Sequence, residues 1–362
     1  MKRINWPTAV FLLATPIAAV AAVSALLALR GFRLADLVLL VVFAAATGLS
    51  VTAGYHRLFA HRAYDAIAPV RIAFLLVGAG AFQQSVLDWS ADHRRHHKNV
   101  DDEADPYNIN RGFLWAHIGW LLVADTTARE FSNVPDLLAD RWVVLQHRFY
   151  LPLALLMGFG APLAAGYALG SPWGGIVWGG LVRVVVVHHA TFFVNSLAHT
   201  LGRRPYTTAT SARDSFVTAL LTFGEGYHNF HHRFAADYRN GVRTGQYDPT
   251  KWLIRLLAAI RLAWNLKTVP RERIVAAEVE CARERLTVRL RGHAERISSG
   301  LLERFGEMSA ALHRASLRLA ELERARARRA EIRAARRELR RFRREWRAMV
   351  AALEQEARVL PA

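Results

Sequence analysis

Residues 224–232 read GEGYHNFHH, and this stretch places His228, His231 and His232 within five positions. Three imidazoles so close together are hard to bury, because each would have to stay neutral or find a partner. On a helix, residues three or four apart share a face, so the three rings would meet in one small volume. Uncharged imidazole is a ligand for Zn, Cu, Fe and Ni. The stretch therefore predicts a metal site that needs further ligands from elsewhere in the chain.

Three other short motifs supply such ligands. They read HRLFAH (56–61), DHRRHH (92–97) and NSLAH (195–199). Because a single metal rarely takes more than about four to six protein ligands, nine histidines indicate two metals. The spacing of five between the first two histidines predicts that they serve different metals or need a bent backbone. The nine candidate ligands are His56, His61, His93, His96, His97, His199, His228, His231 and His232.

Acidic residues adjoin two of these motifs. Asp88 and Asp92 precede the histidines of DHRRHH, and Glu225 precedes those of GEGYHNFHH. Ligating histidines usually donate their other ring N–H to such a group. We therefore expect these three carboxylates to orient ligands without binding metal themselves.

The composition separates apolar segments from basic ones, since the chain is 52% hydrophobic yet carries a formal charge of +18. The single cysteine, Cys281, excludes a disulfide framework, a cysteine-based zinc site and a thiolate iron–sulfur cluster. The chain also lacks a His-Pro dipeptide, a Cys-rich ferredoxin segment and a GxGxxG flavin motif. Any redox chemistry would therefore need electrons from a separate donor protein.

Four apolar runs are each close to the roughly 20 residues that cross a bilayer, and they come in two pairs with short links. A fifth run, 72–87, is shorter, and we place it against the membrane interface. This arrangement puts both termini and the loop 55–147 on one side, which the basic residues make cytoplasmic. The alternative for the first run is a cleaved signal peptide. The four runs are 9–29, 37–54, 149–169 and 173–198.

All four histidine motifs can gather at one membrane face. The predicted fold is an all-α integral membrane protein. Its four transmembrane helices form two hairpins under a cytosolic helical cap, which holds a histidine-rich site for two metals.

The last quarter of the chain differs from the rest. Residues 271–362 hold 23 arginines and 14 glutamates, which is half of the net charge. We divide the chain near Pro270 into a membrane-bound domain, 1–270, and an arginine-rich helical tail, 271–362.

Apolar residues in the tail recur every three or four positions, and the phase slips at 324–329, which indicates a coiled-coil-like helix with a stutter. We expect the tail to self-associate or to dock an acidic partner such as an electron donor. Contact with anionic lipid headgroups and a solvated helix are the alternatives. No nucleic-acid fold is recognisable. The two apolar series are Phe305, Met308, Leu312, Ala315, Leu319, Leu322 and Ile332, Ala335, Leu339, Phe342, Trp346, Met349, Leu353.

The motif set resembles that of the membrane-bound fatty acyl desaturases of the acyl-CoA Δ9 (stearoyl-CoA) type, over roughly residues 35 to 268. The similarity extends beyond the histidines to HHKNVDDEADPYNINRGFLWAHIGWLL, VNSLAHTLGRRPY and SARDSFVTALLTFGEGYHNFHHRFAADYRNG.

The resemblance implies that the nine histidines ligate two Fe²⁺ ions and that Asn195 completes one coordination sphere through a water. It implies O2-dependent removal of two hydrogens from a long saturated acyl thioester, leaving a cis double bond near Δ9. The electron donor would be of the ferredoxin, rubredoxin or cytochrome type, with its reductase. We expect a multi-pass protein in contact with membrane lipid, in a bacterial inner membrane.

The chain departs from the family pattern at two places. Ala91 stands where animal acyl-CoA desaturases have an arginine that helps to hold the CoA group. Thr244 and Gly245 stand where the family has aromatic residues, so we expect the acyl tunnel to be wider or differently bent. The candidate substrate-binding residues are Trp89, Arg94, Arg95, Lys98, Arg111 and Tyr227.

Three other functions fit parts of the pattern. A hydroxylase or ketolase would use the same scaffold. A histidine-rich membrane metal transporter or sensor would place its ligands within the spans rather than after them. A membrane tether acting through the tail would not need the complete histidine set.

Overall fold

The computed structural model describes residues 3–123, 131–289 and 299–359. It contains two compact units, which we call the core unit and the tail unit. The core unit comprises Met1–Arg203 and Ser211–Lys267, and the tail unit comprises Arg204–Thr210 and Thr268–Ala362. The predicted tail helix also covers 290–298 and 360–362, which lie outside the described residues.

The first hairpin consists of α1 (Trp6–Arg30) and α2 (Leu34–Leu49), and α2 continues as a π-helical segment over Ser50–Ala60. This π segment is buried along its whole length. Where the hairpin turns, Arg30 Nη2 lies 2.8 Å from Asp36 Oδ1 and also donates to Ser171 Oγ at 3.0 Å. The buried Asp36 carboxylate therefore ties the two hairpins together at the end remote from the histidines.

The cap begins with a two-residue strand, β1 (Asp65–Ala66), and continues with short helices. Among them, α3 is the short apolar helix expected near the interface, and α4 carries the histidines of DHRRHH. The α helices are α3 (Ala68–Ala79), α4 (Val86–Lys98), α5 (Trp120–Leu122), α6 (Pro135–Leu138) and α7 (Arg141–Arg148). Irregular helical turns occupy Ile109–Arg111 and Phe131–Asn133 as 3₁₀ helices and Trp115–Gly119 as a π-helical turn.

The second hairpin contains two more π-helical segments, at Leu156–Gly160 and Gly175–Val182. Its helices approach each other closely at Gly175. A Cβ at this position would lie only 2.2 Å from the Pro162 carbonyl oxygen. Small residues allow such contacts between membrane helices. The α helices are α8 (Tyr150–Leu155), α9 (Ala161–Ala168), α10 (Pro172–Gly174), α11 (Arg183–Asn195) and α12 (Leu197–Thr200).

Within the described residues, four helices are long and apolar enough to cross a membrane, which confirms the four predicted spans. They are Trp6–Arg30, Leu34–Ala60, Tyr150–Ala168 and Pro172–Thr200. The core unit is completed by α13 (Phe216–Leu221), α14 (His228–Arg233), α15 (Pro249–Ala259) and β2 (Ala263–Trp264), which pairs antiparallel with β1.

The tail unit contains α16 (Arg271–Arg289), α17 (Ser299–Arg324) and α18 (Arg329–Val359). The phase slip at 324–329 is a turn, so α18 folds back antiparallel along α17. Trp346 Nε1 accordingly donates to Ser309 Oγ at 2.9 Å. The two apolar series predicted for the tail face each other inside one chain, and residues of α16 complete their core.

Arg183 lies within the fourth span and is fully buried. Its guanidinium donates to the carbonyl oxygens of Gly179 at 2.9 Å and Gly158 at 2.6 Å, and also to that of Gly80. Carbonyl groups that lose their helical partner in a membrane need another donor. Arg183 therefore joins the second hairpin to the end of α3.

We expect Arg183→Leu to lower the thermal unfolding midpoint of the detergent-solubilised protein, because each buried carbonyl left without a donor costs about 1–3 kcal/mol. The exposed Arg255 provides the control, and Arg255→Leu should leave the midpoint unchanged. Equal midpoints for the two variants would contradict this role of Arg183.

Candidate metal centre

The nine histidines form two adjacent clusters in the core unit. Within each cluster, one nitrogen of every ring lies within 4.8 Å of one nitrogen of every other. The rings of His97 and His232, one from each cluster, stack with centroids 4.4 Å apart. Cluster A contains His56, His61, His93, His97 and His231, and cluster B contains His96, His199, His228 and His232.

Helical spacing explains how the motifs divide between the clusters. His93 and His97 are four residues apart on α4 and both join cluster A, whereas His96 joins cluster B. On α14 the pair four apart, His228 and His232, joins cluster B. Residues four apart differ by about 40° around an α-helix and residues three apart by about 60° in the opposite sense. Each triplet therefore serves both clusters rather than one volume.

His56 and His61 share cluster A, although five residues separate them. The expectation that they serve different metals is not met, and the expected backbone distortion is present. The π-helical segment Ser50–Ala60 ends with His61 N–H donating to the His56 carbonyl at 3.0 Å, a bond five residues long. A π-helix turns less per residue than an α-helix, so residues five apart come back to one side.

The stretch GEGYHNFHH folds as a tight turn followed by the short helix α14. Gly224 has a φ of 96°, and a Cβ on Gly226 would lie 2.0 Å from the Ala219 backbone nitrogen. At the start of α14, Asp214 Oδ1 accepts hydrogen bonds from the backbone N–H groups of Asn229 at 2.9 Å and Phe230 at 3.1 Å. The glycines thus allow the close packing that places α14 between the two clusters.

The donor set fits metal ions. Nε2 atoms approach one another at 2.8 Å between His61 and His93, and at 3.0 Å between His97 and His231. Two nitrogens bound to one metal at about 2.1 Å and about 90° would be about 3.0 Å apart. The buried Nε2 of His199 has no hydrogen-bond partner among the described residues. Imidazoles without carboxylate or thiolate donors suit Fe, Zn, Cu or Ni.

Three of the rings are oriented by hydrogen bonds at Nδ1. The distances are 2.8 Å from His56 to Glu225 Oε2, 2.9 Å from His96 to Asp105 Oδ1, and 2.7 Å from His199 to Ser211 Oγ. A partner at Nδ1 leaves the lone pair of Nε2 for the metal. Glu225 therefore occupies the place expected for it.

Asp88 and Asp92 have other partners. Asp88 Oδ2 accepts a hydrogen bond from Ser85 Oγ at 2.7 Å and lies 3.4 Å from His147 Nδ1, at the start of α4. Asp92 pairs with Arg95 at 3.3 Å and lines the cavity described below.

Helical spacing does not predict two of the residues that orient ligands. Asp105 and Ser211 both lie in loops, and no helical spacing links them to the histidines that they orient. The only available signal was the acidic run DDEADP (101–106), which follows α4 closely. Its Asp101 also accepts a hydrogen bond from Ser211 Oγ at 2.6 Å.

Burial keeps the candidate ligands in their metal-binding form. It lowers the pKa of the cap histidines in both clusters well below their usual range, and the neighbouring imidazoles lower it further. Burial alone would raise the pKa of the Glu225 carboxyl, but the charge of Arg57 and the hydrogen bonds from His56 and Arg57 bring it down to about 2. Neutral rings beside an ionised carboxylate are ready to coordinate a cation. The other cap histidines with a lowered pKa are His97, His228 and His232.

An apolar cavity of about 530 Å³ opens from the clusters into the spans. His56, His93, His96 and His228 contribute to its wall, so both clusters border it, and Asn195 also lies on the wall. Most of the other wall residues are apolar. Those from the membrane-spanning helices include Phe11, Leu12, Leu151, Leu155 and Phe192.

Of the six candidate substrate-binding residues, only Trp89 is on the cavity wall, where it stacks on His93 with ring centroids 4.8 Å apart. Arg94 holds both oxygens of Asp136 and the carbonyl of Phe59, which makes it structural. Lys98 and Arg111 are exposed.

The last two candidates are not on the cavity wall, and neither are the two positions at which the tunnel was expected to differ. Arg95 pairs with Asp92. Tyr227 is buried, and its backbone pairs with that of Asp214 in an antiparallel bridge. Thr244 and Gly245 are in a turn, and a Cβ on Gly245 would meet nothing within 4 Å.

Four apolar helices beneath two histidine clusters define a membrane-helix protein with a site suited to two metals. The chain matches the family model "Fatty acid desaturase" over residues 34–265. It is 43% identical over 271 residues to the "Probable acyl-CoA desaturase" of Schizosaccharomyces pombe, an alignment that covers 74% of this chain and 56% of that protein.

Two further relatives have similar names. "Acyl-CoA desaturase 1" of Saccharomyces cerevisiae is 40% identical over 242 residues, which cover 66% of this chain and 48% of that protein. "Stearoyl-CoA desaturase" of Homo sapiens is 39% identical over 236 residues, which cover 64% and 66%. The chain thus spans about half the length of the yeast relatives. It belongs to the fatty acid desaturase family, as its motifs indicated.

Asp105 and Asp88 give a matched pair of substitutions. We expect Asp105→Asn to weaken metal binding about 10- to 100-fold, because the His96 ring loses the carboxylate that orients it. Asp88→Asn should leave metal binding unchanged, because Asp88 bonds to Ser85 and His147. Metal retained after dialysis against a chelator is the measurement. Equal retention by the two variants would contradict the assignment of Asp105.

The metal-free protein should lose stability as the pH falls. The lowered histidine pKa values mean that these rings stay neutral in the fold, whereas in the unfolded chain they take up protons below about pH 6.5. The unfolded state then binds more protons, so acid favours unfolding. The thermal midpoint of chelator-treated protein should therefore be steady above about pH 7 and fall below about pH 6.5. A midpoint that stays constant down to about pH 5 would contradict this.

Proposed function

We propose that this protein is a membrane-bound desaturase that removes two hydrogens from a long saturated fatty acyl thioester and leaves a cis double bond. The observation that carries the proposal is the apolar cavity that ends at both histidine clusters. The names of the relatives favour acyl-CoA as the substrate class and oxidoreduction as the chemistry. Of the possible bond positions, we infer one near Δ9.

The reaction requires an oxidant, because an unactivated methylene has no acidic proton for a general base. Two irons bound by the nine histidines, with Asn195 through a water, would supply this oxidising power from O2. The residues of the chain do the rest. The apolar wall holds the acyl chain and excludes water, and the polar end of the cavity places one carbon pair beside the ligands.

The electron balance requires two electrons beyond those of the substrate. O2 takes up four electrons and four protons to form two waters. The two C–H bonds supply two of each, so two more electrons and two protons must come from outside. We infer a separate one-electron carrier of the ferredoxin, rubredoxin or cytochrome type, with its reductase.

We infer that the histidine clusters and both termini face the cytoplasm, following the basic residues on that side. The relatives named above come from yeasts and a mammal, so they give no support for a bacterial membrane in particular. We infer CoA as the acyl carrier. Of the candidate substrate-binding residues, Trp89 lines the cavity, and we expect it to contact the acyl chain.

Expression in a host that lacks its own desaturase tests the proposal. Lipid analysis should show new cis-monounsaturated chains, and the purified protein should contain about two irons per chain. Hydroxylated chains in place of alkenes would overturn desaturation. Host lipids without any new product would overturn the proposal altogether.

His231→Ala should reduce the product to background while the protein still inserts in the membrane, because His231 lies 3.1 Å from His56 and 3.0 Å from His97 at their Nε2 atoms. His313→Ala on α17 is the control and should be silent. Normal turnover by the His231 variant would contradict the site assignment.

A further inference from the structure

One face of α18 carries a row of arginines. Arg333, Arg337, Arg340 and Arg344 follow one another at intervals of four, three and four residues, so they line up on the helix surface. We call these four residues the arginine stripe. They lie about 100° to 160° around the helix from the buried Leu339 and are all exposed. The stripe is about 17 Å long.

Other arginines of α18 are used inside the tail unit. Arg343 and Arg347 both pair with the buried Glu278 of α16, and Arg336 pairs with Glu323 of α17 at 2.7 Å. Across the described residues, by contrast, the four arginines of the stripe form no ion pair. The stripe is thus a surplus of positive charge that the packing of the bundle does not require.

The stripe offers charge without an apolar anchor. The apolar residues of α18 face α16 and α17, where Ala335, Leu339, Trp346 and Leu353 are buried. Association of two tails through that seam is therefore not available without opening the bundle. Two stripes would also repel each other, so a second copy does not fit this face.

We propose that the arginine stripe is the docking surface for an acidic rim on the one-electron carrier that reduces the metal centre. This inference rests on the proposed desaturase function, which needs two electrons from outside for each double bond. A one-electron carrier must dock and leave twice per turnover. Exposed charges without apolar contacts accelerate association but add little lasting affinity, which suits such a brief encounter. Arginine forks also match carboxylates well.

The test uses the full-length enzyme in nanodiscs of phosphatidylcholine. The stripe variant carries Arg333→Gln, Arg337→Gln, Arg340→Gln and Arg344→Gln. The control variant removes the same charge from exposed positions of α16 and α17. Glutamine keeps the helix propensity, and circular dichroism checks that both variants stay folded. The control substitutions are Arg273→Gln, Arg283→Gln, Arg304→Gln and Arg314→Gln.

The probe is a small acidic [2Fe–2S] ferredoxin, added in its oxidised form so that binding is measured without turnover. We expect the stripe variant to bind it about tenfold more weakly than the unaltered enzyme at low salt, and the control variant to bind nearly as well as that enzyme. Added salt should weaken binding to the unaltered enzyme more than to the stripe variant. With the ferredoxin reduced by its reductase, the stripe variant should show a raised KM for ferredoxin and an unchanged kcat.

Equal losses in the two variants would overturn the proposal, because net charge alone would then explain binding. Unchanged ferredoxin binding by the stripe variant would also overturn it. Hydrogen exchange of α18 in discs with and without phosphatidylglycerol supplies the lipid comparison. Protection that appears only with the anionic lipid and is lost only in the stripe variant would assign the stripe to the bilayer and overturn the proposal.

Turnover with electrons supplied by dithionite separates this proposal from the function on which it rests. If dithionite supports double-bond formation equally in all three proteins but ferredoxin binding is unaffected, docking at the stripe fails alone. If no protein forms a double bond, the desaturase function fails, whatever the binding result.

Discussion

The salt bridge between Arg57 and Glu225 is the interaction on which the candidate metal centre depends. Arg57 Nη2 lies 2.7 Å from Glu225 Oε1 and 3.0 Å from Asp248 Oδ1, and all three side chains are buried. The second oxygen of Glu225 accepts hydrogen bonds from His56 Nδ1 at 2.8 Å and from Asn240 Nδ2 at 2.6 Å. Removing one partner would leave a buried charge without compensation, which is far more costly than losing an exposed pair.

This bridge joins parts of the chain that are distant in sequence. Arg57 follows a ligand in the π-helical segment, Glu225 precedes α14, and Asp248 caps α15 by accepting from Lys251 N at 2.8 Å. The Glu225 carboxylate, which pairs with Arg57, therefore also orients His56. Because Glu225 does both, a substitution there would remove the buried ion pair and the hydrogen bond to His56 together.

The π-helical segment Ser50–Ala60 shows why the membrane span and the metal centre form one structure. A π-helix is rare and needs support from its surroundings. Tyr64 donates to the Ala53 carbonyl at 2.9 Å, and the hydroxyls of Thr52 and Thr250 lie 2.7 Å apart. The span thus ends in a distorted but fully packed turn, and this distortion brings His56 and His61 to the same cluster.

The sequence predicted the parts of this structure that repeat or are chemically unusual. The four spans follow from uninterrupted apolar runs, and the nine histidines follow from their density. The division of each triplet between two clusters did not, because residues three and four apart were treated as one face. Asp105 and Ser211 were missed because loop positions have no period. The phase slip at 324–329 is a turn rather than the predicted stutter, and both produce the same break in the pattern.

Buried charges pair with one another in both units, but the exposed face of the tail carries an excess of positive charge. Around the clusters, Arg57 pairs with Glu225 and Asp248, and inside the tail unit two arginines pair with the buried Glu278. Yet residues 323–347 contain 12 arginines and only four glutamates. Glutamine, glutamate or lysine would form the same helix, so propensity does not require this excess. Unbalanced charge also disfavours the compact state through repulsion. An excess that is aligned on one exposed face, and that the bundle does not use, is therefore best explained by a partner outside the chain.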